Sequence, residues 1–146
     1  MQIDVLEQAD DTLVAELVAG VRRFNAAMVG DSGMQALAVT ARDADGRLLG
    51  GVAGKTAYRQ FLIEVVWVDE GMRGQGLGAQ LMQRAEALAR ARGCIAAQVD
   101  TLSFQAPAFY QRLGFDIVGT VPDCPAPHAR HFLFKRYASD ADRNAS

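Results

Sequence analysis

Apolar positions along the chain recur at two spacings, and each predicts a different kind of element. Leu13, Leu17, Val21 and Phe24 return every three or four residues after Asp10 and Asp11, which predicts a helix capped by one of those carboxylates. The strongest helical pattern spans Gln75 to Arg92. There Leu77, Leu81, Met82, Ala85, Leu88 and Ala89 line one face, while Gln83, Arg84, Glu86 and Arg90 are expected to face away. Arg90 and Arg92 favour the negative end of its dipole, and Gly93 supplies a stop. Gln105 to Leu113 reads as a short third helix. Strands are predicted at Gln2 to Leu6, Gln35 to Arg42, Arg47 to Thr56, Phe61 to Val68, Ile95 to Leu102, Phe115 to Val121 and His131 to Tyr137. Asp43-Ala44-Asp45-Gly46 is the hairpin loop between the second and third of these.

The alternation points to an α+β domain over residues 1–137, with a frayed polar tail from Ala138 to Ser146. A chain of 146 residues, half of them hydrophobic, can bury one sizeable core. A formal charge of −2 gives no general attraction to nucleic acid or to an anionic membrane. No apolar run approaches the roughly 20 residues that span a bilayer, and Met1 to Val5 has no signal-peptide pattern. With only Cys94 and Cys124, reduced thiols in a cytoplasm are expected rather than a disulfide framework.

The chemistry concentrates where the strand ending Trp67-Val68 runs into Arg73-Gly74-Gln75-Gly76-Leu77-Gly78-Ala79. Glycines strip side chains from the turn, so backbone N–H groups at the helix start can close around an anion, aided by the dipole and by Arg73. Gly74-x-Gly76-x-x-Ala79 also matches the dinucleotide fingerprint formally, with Asp100 at a tolerable distance for a ribose-binding acid. That fingerprint, however, needs its first glycine directly at the strand end, and here Asp69 to Arg73 intervene.

Arg73-x-x-Gly76-x-Gly78 resembles the acetyl-CoA pyrophosphate loop of the GNAT superfamily of N-acetyltransferases. Ser103-Phe104-Gln105-Ala106-Pro107-Ala108-Phe109-Tyr110-Gln111-Arg112-Leu113-Gly114-Phe115 resembles that superfamily's downstream block, although Ser103 stands for its usual Asn and Pro107 for its usual Ala. The resemblance implies a mixed sheet of about seven strands with about four helices, strands four and five parallel and splayed. It implies an acetyl-CoA-dependent transfer to a primary amine by direct attack in a ternary complex, without a metal. Val66, Trp67 and Val68 would hold the pantetheine arm, Arg73, Gly74, Gln75, Gly76, Leu77, Gly78 and Ala79 the pyrophosphate, and Ser103 and Tyr110 would also touch the cofactor.

Tyr110 is then the candidate general acid, because a phenol keeps its proton at neutral pH and can donate it to a departing thiolate; as a lone residue it would read equally as core packing. Glu64 is the first candidate base, being the ionisable side chain of an otherwise apolar strand, where burial would make it a better proton acceptor; pairing or a wet position is the alternative. Asp100 is the second candidate, or a cap for the turn at Ser103. The acceptor pocket is expected between the Glu64 strand and the Pro122 to His131 loop, with Glu64, Trp67 and His128 as its contacts. Cys124-x-x-x-His128-x-x-His131 superficially resembles a metal cluster, but three prolines keep it from helical spacing, so no metal is expected. A small-molecule amine is the expected acceptor, and a monomer or homodimer the expected assembly. Acetylation of peptide or lysine amines and a non-catalytic CoA-binding module are the alternatives.

Overall fold

A computed structural model of the protein describes residues 1–139 in two compact units, Met1–Ser32 and the remainder from Gly33. The first unit is built around α1 (Asp11–Val29). Asp10 accepts from the Leu13 N–H at 3.0 Å, as its spacing predicts, and Gly30 at φ 84° ends the helix. No residue of α1 is buried. Gln2 to Leu6, predicted as a strand, carries no ladder and is irregular, with Ile3, Val5 and Leu6 exposed. Alternating apolar residues make a strand only when another strand takes up their backbone groups.

In the second unit the elements run β1 (Gln35–Arg42), β2 (Leu48–Ala57), β3 (Gln60–Val68), α2 (Leu77–Ala91), β4 (Ala96–Leu102), α3 (Pro107–Arg112), β5 (Asp116–Pro122) and β6 (Ala129–Arg136). They form a mixed sheet ordered β1-β2-β3-β4-β6-β5. Among the described residues, six strands and three α-helices thus stand where about seven and about four were expected, the missing strand being the N-terminal one. β3 and β4 form the parallel pair. α2 lays Leu81, Met82, Ala85 and Ala89 on Leu37, Val52, Phe61 and Ile63, and this layer is the core. Two residues of α2 differ from its helical wheel. Leu88 is exposed, whereas Glu86 is buried, its charge met by Lys135 of β6 at 2.7 Å.

The parallel pair is short. β3 and β4 are joined only at Gln60↔Ala96, Phe61↔Ala97 and Leu62↔Gln98, although both strands continue beyond. The cause lies on the other side of β3. Ala53 pairs with Val65 and Gly54 with Ile63, so Glu64 is an extra residue, a β-bulge that bends the strand. Gly54 makes the bulge possible, because a Cβ there would overlap the carbonyl oxygen of Leu62. Beyond the bulge, β3 leaves β4 and exposes a backbone edge.

Candidate functional site

The splay opens a cleft of about 810 Å³ between β3, the α2 N-terminus, the end of β4 and α3. One wall is the glycine turn. Gly74 and Gly76 take φ of 77° and 79°, a left-handed geometry that L side chains rarely adopt, and a Cβ at either would stand in open space at the cleft. Gly76 is the N-cap of α2 and no side chain caps it, so the first N–H groups of the helix remain available. Arg73 is turned back by a 3.3 Å bond from Nε to the Val68 carbonyl, which holds its charge at the strand end. Gly78 has a separate reason for lacking a side chain: a Cβ there would press on the Phe109 ring at 3.1 Å. The turn thus presents a side-chain-free, positively polarised concavity suited to a pyrophosphate.

Of the predicted cofactor contacts, Val66, Trp67, Val68, Arg73, Gly74, Gly76, Leu77, Gly78, Ala79 and Tyr110 line the cleft. Gln75 and Ser103 do not. Gln75 folds back to the Gly71 carbonyl at 3.3 Å, and Ser103 Oγ accepts from the Ala129 N–H at 3.0 Å, tying the β4–α3 turn to β6. Thr101 and Gln105, which the sequence pattern did not single out, do line it. Gln105 Oε1 accepts from the Leu102 N–H at 2.9 Å and from Thr101 Oγ1 at 3.3 Å, so Gln105 rather than Asp100 braces this turn.

Tyr110 is buried, with its ring edge-to-face against Phe109 at 5.1 Å and Phe115 at 5.8 Å. Desolvation, reinforced by the Asp100 carboxylate, pushes its phenol up to about 12. Core packing and cleft lining are therefore one arrangement rather than alternatives. Glu64 and Asp100 both line the cleft. Of the two readings of Glu64, the wet, paired one holds. It is the bulge residue, its side chain 58% exposed and 3.6 Å from Lys55. Asp100 is held by Arg130, with Nε at 2.8 Å and Nη2 at 2.7 Å.

His128 lines neither this cleft nor a second cavity of about 460 Å³. His128 is exposed and stacks edge-on against Phe104, 4.8 Å between centroids. The second cavity instead lies among β3, β4, β5 and β6 and meets the first at Val99 and Asp100. Among the described residues no group of three or more His, Cys, Asp or Glu is placed to hold a metal; His131 bonds Thr120 at 2.9 Å instead. No helix among them is long and apolar enough to cross a membrane.

The family model described as "Acetyltransferase (GNAT) family" matches residues 7–115. The chain is 46% identical over 91 residues to blasticidin-S acetyltransferase of Streptomyces morookaense, which covers 62% of this chain and 67% of that one. It is 35% identical to acetyltransferase Atu2258 of Agrobacterium fabrum over 114 residues, 78% of this chain and 83% of the relative. A crystal structure of an acetyltransferase from Agrobacterium tumefaciens superimposes with a TM-score of 0.88 at 31% identity, covering 94% of this chain and all of that one.

Proposed function

The chain belongs to the GNAT family and is an N-acetyltransferase, and from that premise we propose that it moves the acetyl group of acetyl-CoA directly onto the primary amine of a small molecule. The observation that carries this reading is the sharing of one cleft by the Gly74–Gly76 cradle, the buried phenol of Tyr110 and the carboxylates of Glu64 and Asp100. Members of the family use acetyl-CoA. When bound, acetyl-CoA supplies an acetyl group activated as a thioester.

The residues here fit that co-substrate. Gly74, Gly76 and the first N–H groups of α2 would take the pyrophosphate beside Arg73, and the open β3 edge from Val66 to Val68 would take the pantetheine amides. Tyr110 holds its proton at Oη up to about pH 12, so it is present as an acid throughout the neutral range and can protonate or hydrogen-bond a leaving group. Glu64 and Asp100 are the carboxylates able to receive a proton from an ammonium in the cleft. The antibiotic named in the Streptomyces relative supports a small acceptor over a folded protein.

The test is release of CoA from acetyl-CoA with a panel that includes blasticidin S, simple alkylamines and short peptides. Turnover of a small amine is expected. Turnover confined to peptides would move the acceptor class. Acetyl-CoA binding without turnover of any amine would make the protein a CoA-binding module.

A further inference from the structure

We propose that Arg130 is a positioning residue for the acceptor, fixing Asp100 so that one carboxylate oxygen is presented as the seat of a primary ammonium whose apolar body lies in the second cavity. The geometry begins with the sheet. Asp100 of β4 pairs with Phe132 of β6, and Arg130 lies two residues along β6 on the same face. Arg130 directs both Nε and Nη2 at a single atom, Oδ2 of Asp100, at 2.8 and 2.7 Å. It also lies over the Phe132 ring, 5.0 Å from guanidinium carbon to centroid, so the fork is held from two sides. Oδ1 takes no donor among the described residues.

The pair is too open to the solvent, with side chains 43% and 42% exposed, to matter much for stability. What it does fix is the direction in which the free oxygen faces. Asp100 lines both cavities, and the second is walled by Leu62, Val118, Phe132 and Phe134 with Gln98 as its other polar side chain. The charged side chains that line the first cleft with Asp100 are Glu64 across the splay on β3, Arg73 at the glycine turn and Arg112 on α3, while Arg130 from β6 holds Asp100 and the Tyr110 phenol beside it is neutral. An ammonium with a flat or aliphatic body matches this set, since its charge meets carboxylates and its carbon skeleton meets phenylalanines.

The inference rests on the acetyltransferase reading only in calling that ligand an acceptor. Its test is therefore a binding experiment without turnover. Calorimetric titration compares benzylammonium, benzyl alcohol and benzoate against the wild type, Asp100→Asn, Arg130→Met and Arg130→Lys. Benzylammonium should bind the wild type better than the uncharged alcohol and lose tenfold or more in Asp100→Asn and Arg130→Met. Arg130→Lys, which restores charge but not the fork, should recover part of that loss. Acetyl-CoA binding should stay within twofold in all three variants, which separates a failure here from failure of the acetyltransferase reading.

Three results would overturn the assignment: no preference of the wild type for the ammonium over the alcohol, equal benzylammonium affinity in Arg130→Met and wild type, or tighter benzoate binding that is lost with Arg130. If Arg130→Met does not fold, the same comparison between Arg130→Lys and Asp100→Asn decides, because a fork that matters must register in the lysine variant.

Discussion

One wall of the cleft comes from a single stretch of chain, Val66 to Ala79, while the facing wall takes Asp100, Thr101 and Tyr110 from one stretch, with Arg130 anchoring Asp100 and Ala129 anchoring the adjoining turn at Ser103. On the first wall the polar groups are chiefly backbone, exposed because glycines remove what would cover them. On the second they are side chains, aimed by partners up to 30 residues away. Backbone recognition depends on φ and tolerates little change in the turn. Side-chain recognition depends on neighbours and can be retuned one residue at a time. A co-substrate common to a whole family suits the first construction, and an acceptor that differs among relatives suits the second.

The sharpest way to break the contrast is Gly76→Asp. A side chain at φ 79° is strained, and its charge would occupy the pyrophosphate seat, so acetyl-CoA binding should fall by more than about 100-fold. The check is thermal shift: an excess of 100 times Kd stabilises the wild type by about 2.7 kcal/mol, and the variant should show none of it. A folded variant with the full shift would mean that the backbone wall does not bind the anion.

Tyr110→Phe tests the facing wall and should lower kcat by about 10²-fold or more with acetyl-CoA affinity nearly unchanged, since only the hydroxyl is lost. An unchanged kcat, with chemistry rate-limiting, would leave Tyr110 as packing alone. Its titration adds an independent check. The tyrosinate absorbance of the wild type should include a step near pH 12 that is missing from the variant. Because the folded value is raised above the usual 10 or so, the stability associated with the buried phenol is fully present below about pH 10 and is lost as pH rises through about 12.

Glu86 and Lys135 link the two walls, one on α2 and the other on β6. Glu86→Ala should cost about 2 kcal/mol by leaving the largely covered ammonium of Lys135 without its carboxylate, measured by denaturant unfolding. The double variant with Lys135→Met should recover part of this. The smallest effect is expected from Glu64→Gln. A carboxylate this exposed is replaceable by water, so kcat should fall by less than about tenfold. A hundredfold loss would make Glu64 the proton acceptor.

How much was legible in the sequence follows the same division. The glycine turn, α2, the hairpin of β1 and β2 and the Tyr110 block were readable because each is determined by residues close together along the chain. The burial of Glu86 was not, because the lysine that permits it arrives from β6. The Arg130 fork on Asp100 was hidden for the same reason, because Arg130 reaches it from β6. Ser103 was correctly placed at a turn, but its hydroxyl serves the junction with Ala129 rather than the cleft. For Glu64 a buried and a wet position stayed open, because its neighbours are apolar. A bulge, which shifts facing by one residue, cannot be seen in a hydrophobic pattern without knowing the partner strand's register.

That bulge makes the chain's capacity for ligand a matter of counting residues. Without Glu64, Phe61, Ile63, Val66 and Val68 would still alternate toward the core, so the remaining sequence is consistent with an uninterrupted strand. Such a strand could continue its ladder along β4 past Leu62 and close the gap from which both cavities open. A single codon's worth of insertion between Ile63 and Val65 therefore separates a plain sheet, satisfied by its own hydrogen bonds, from one that leaves half an edge unsatisfied and offers it to another molecule.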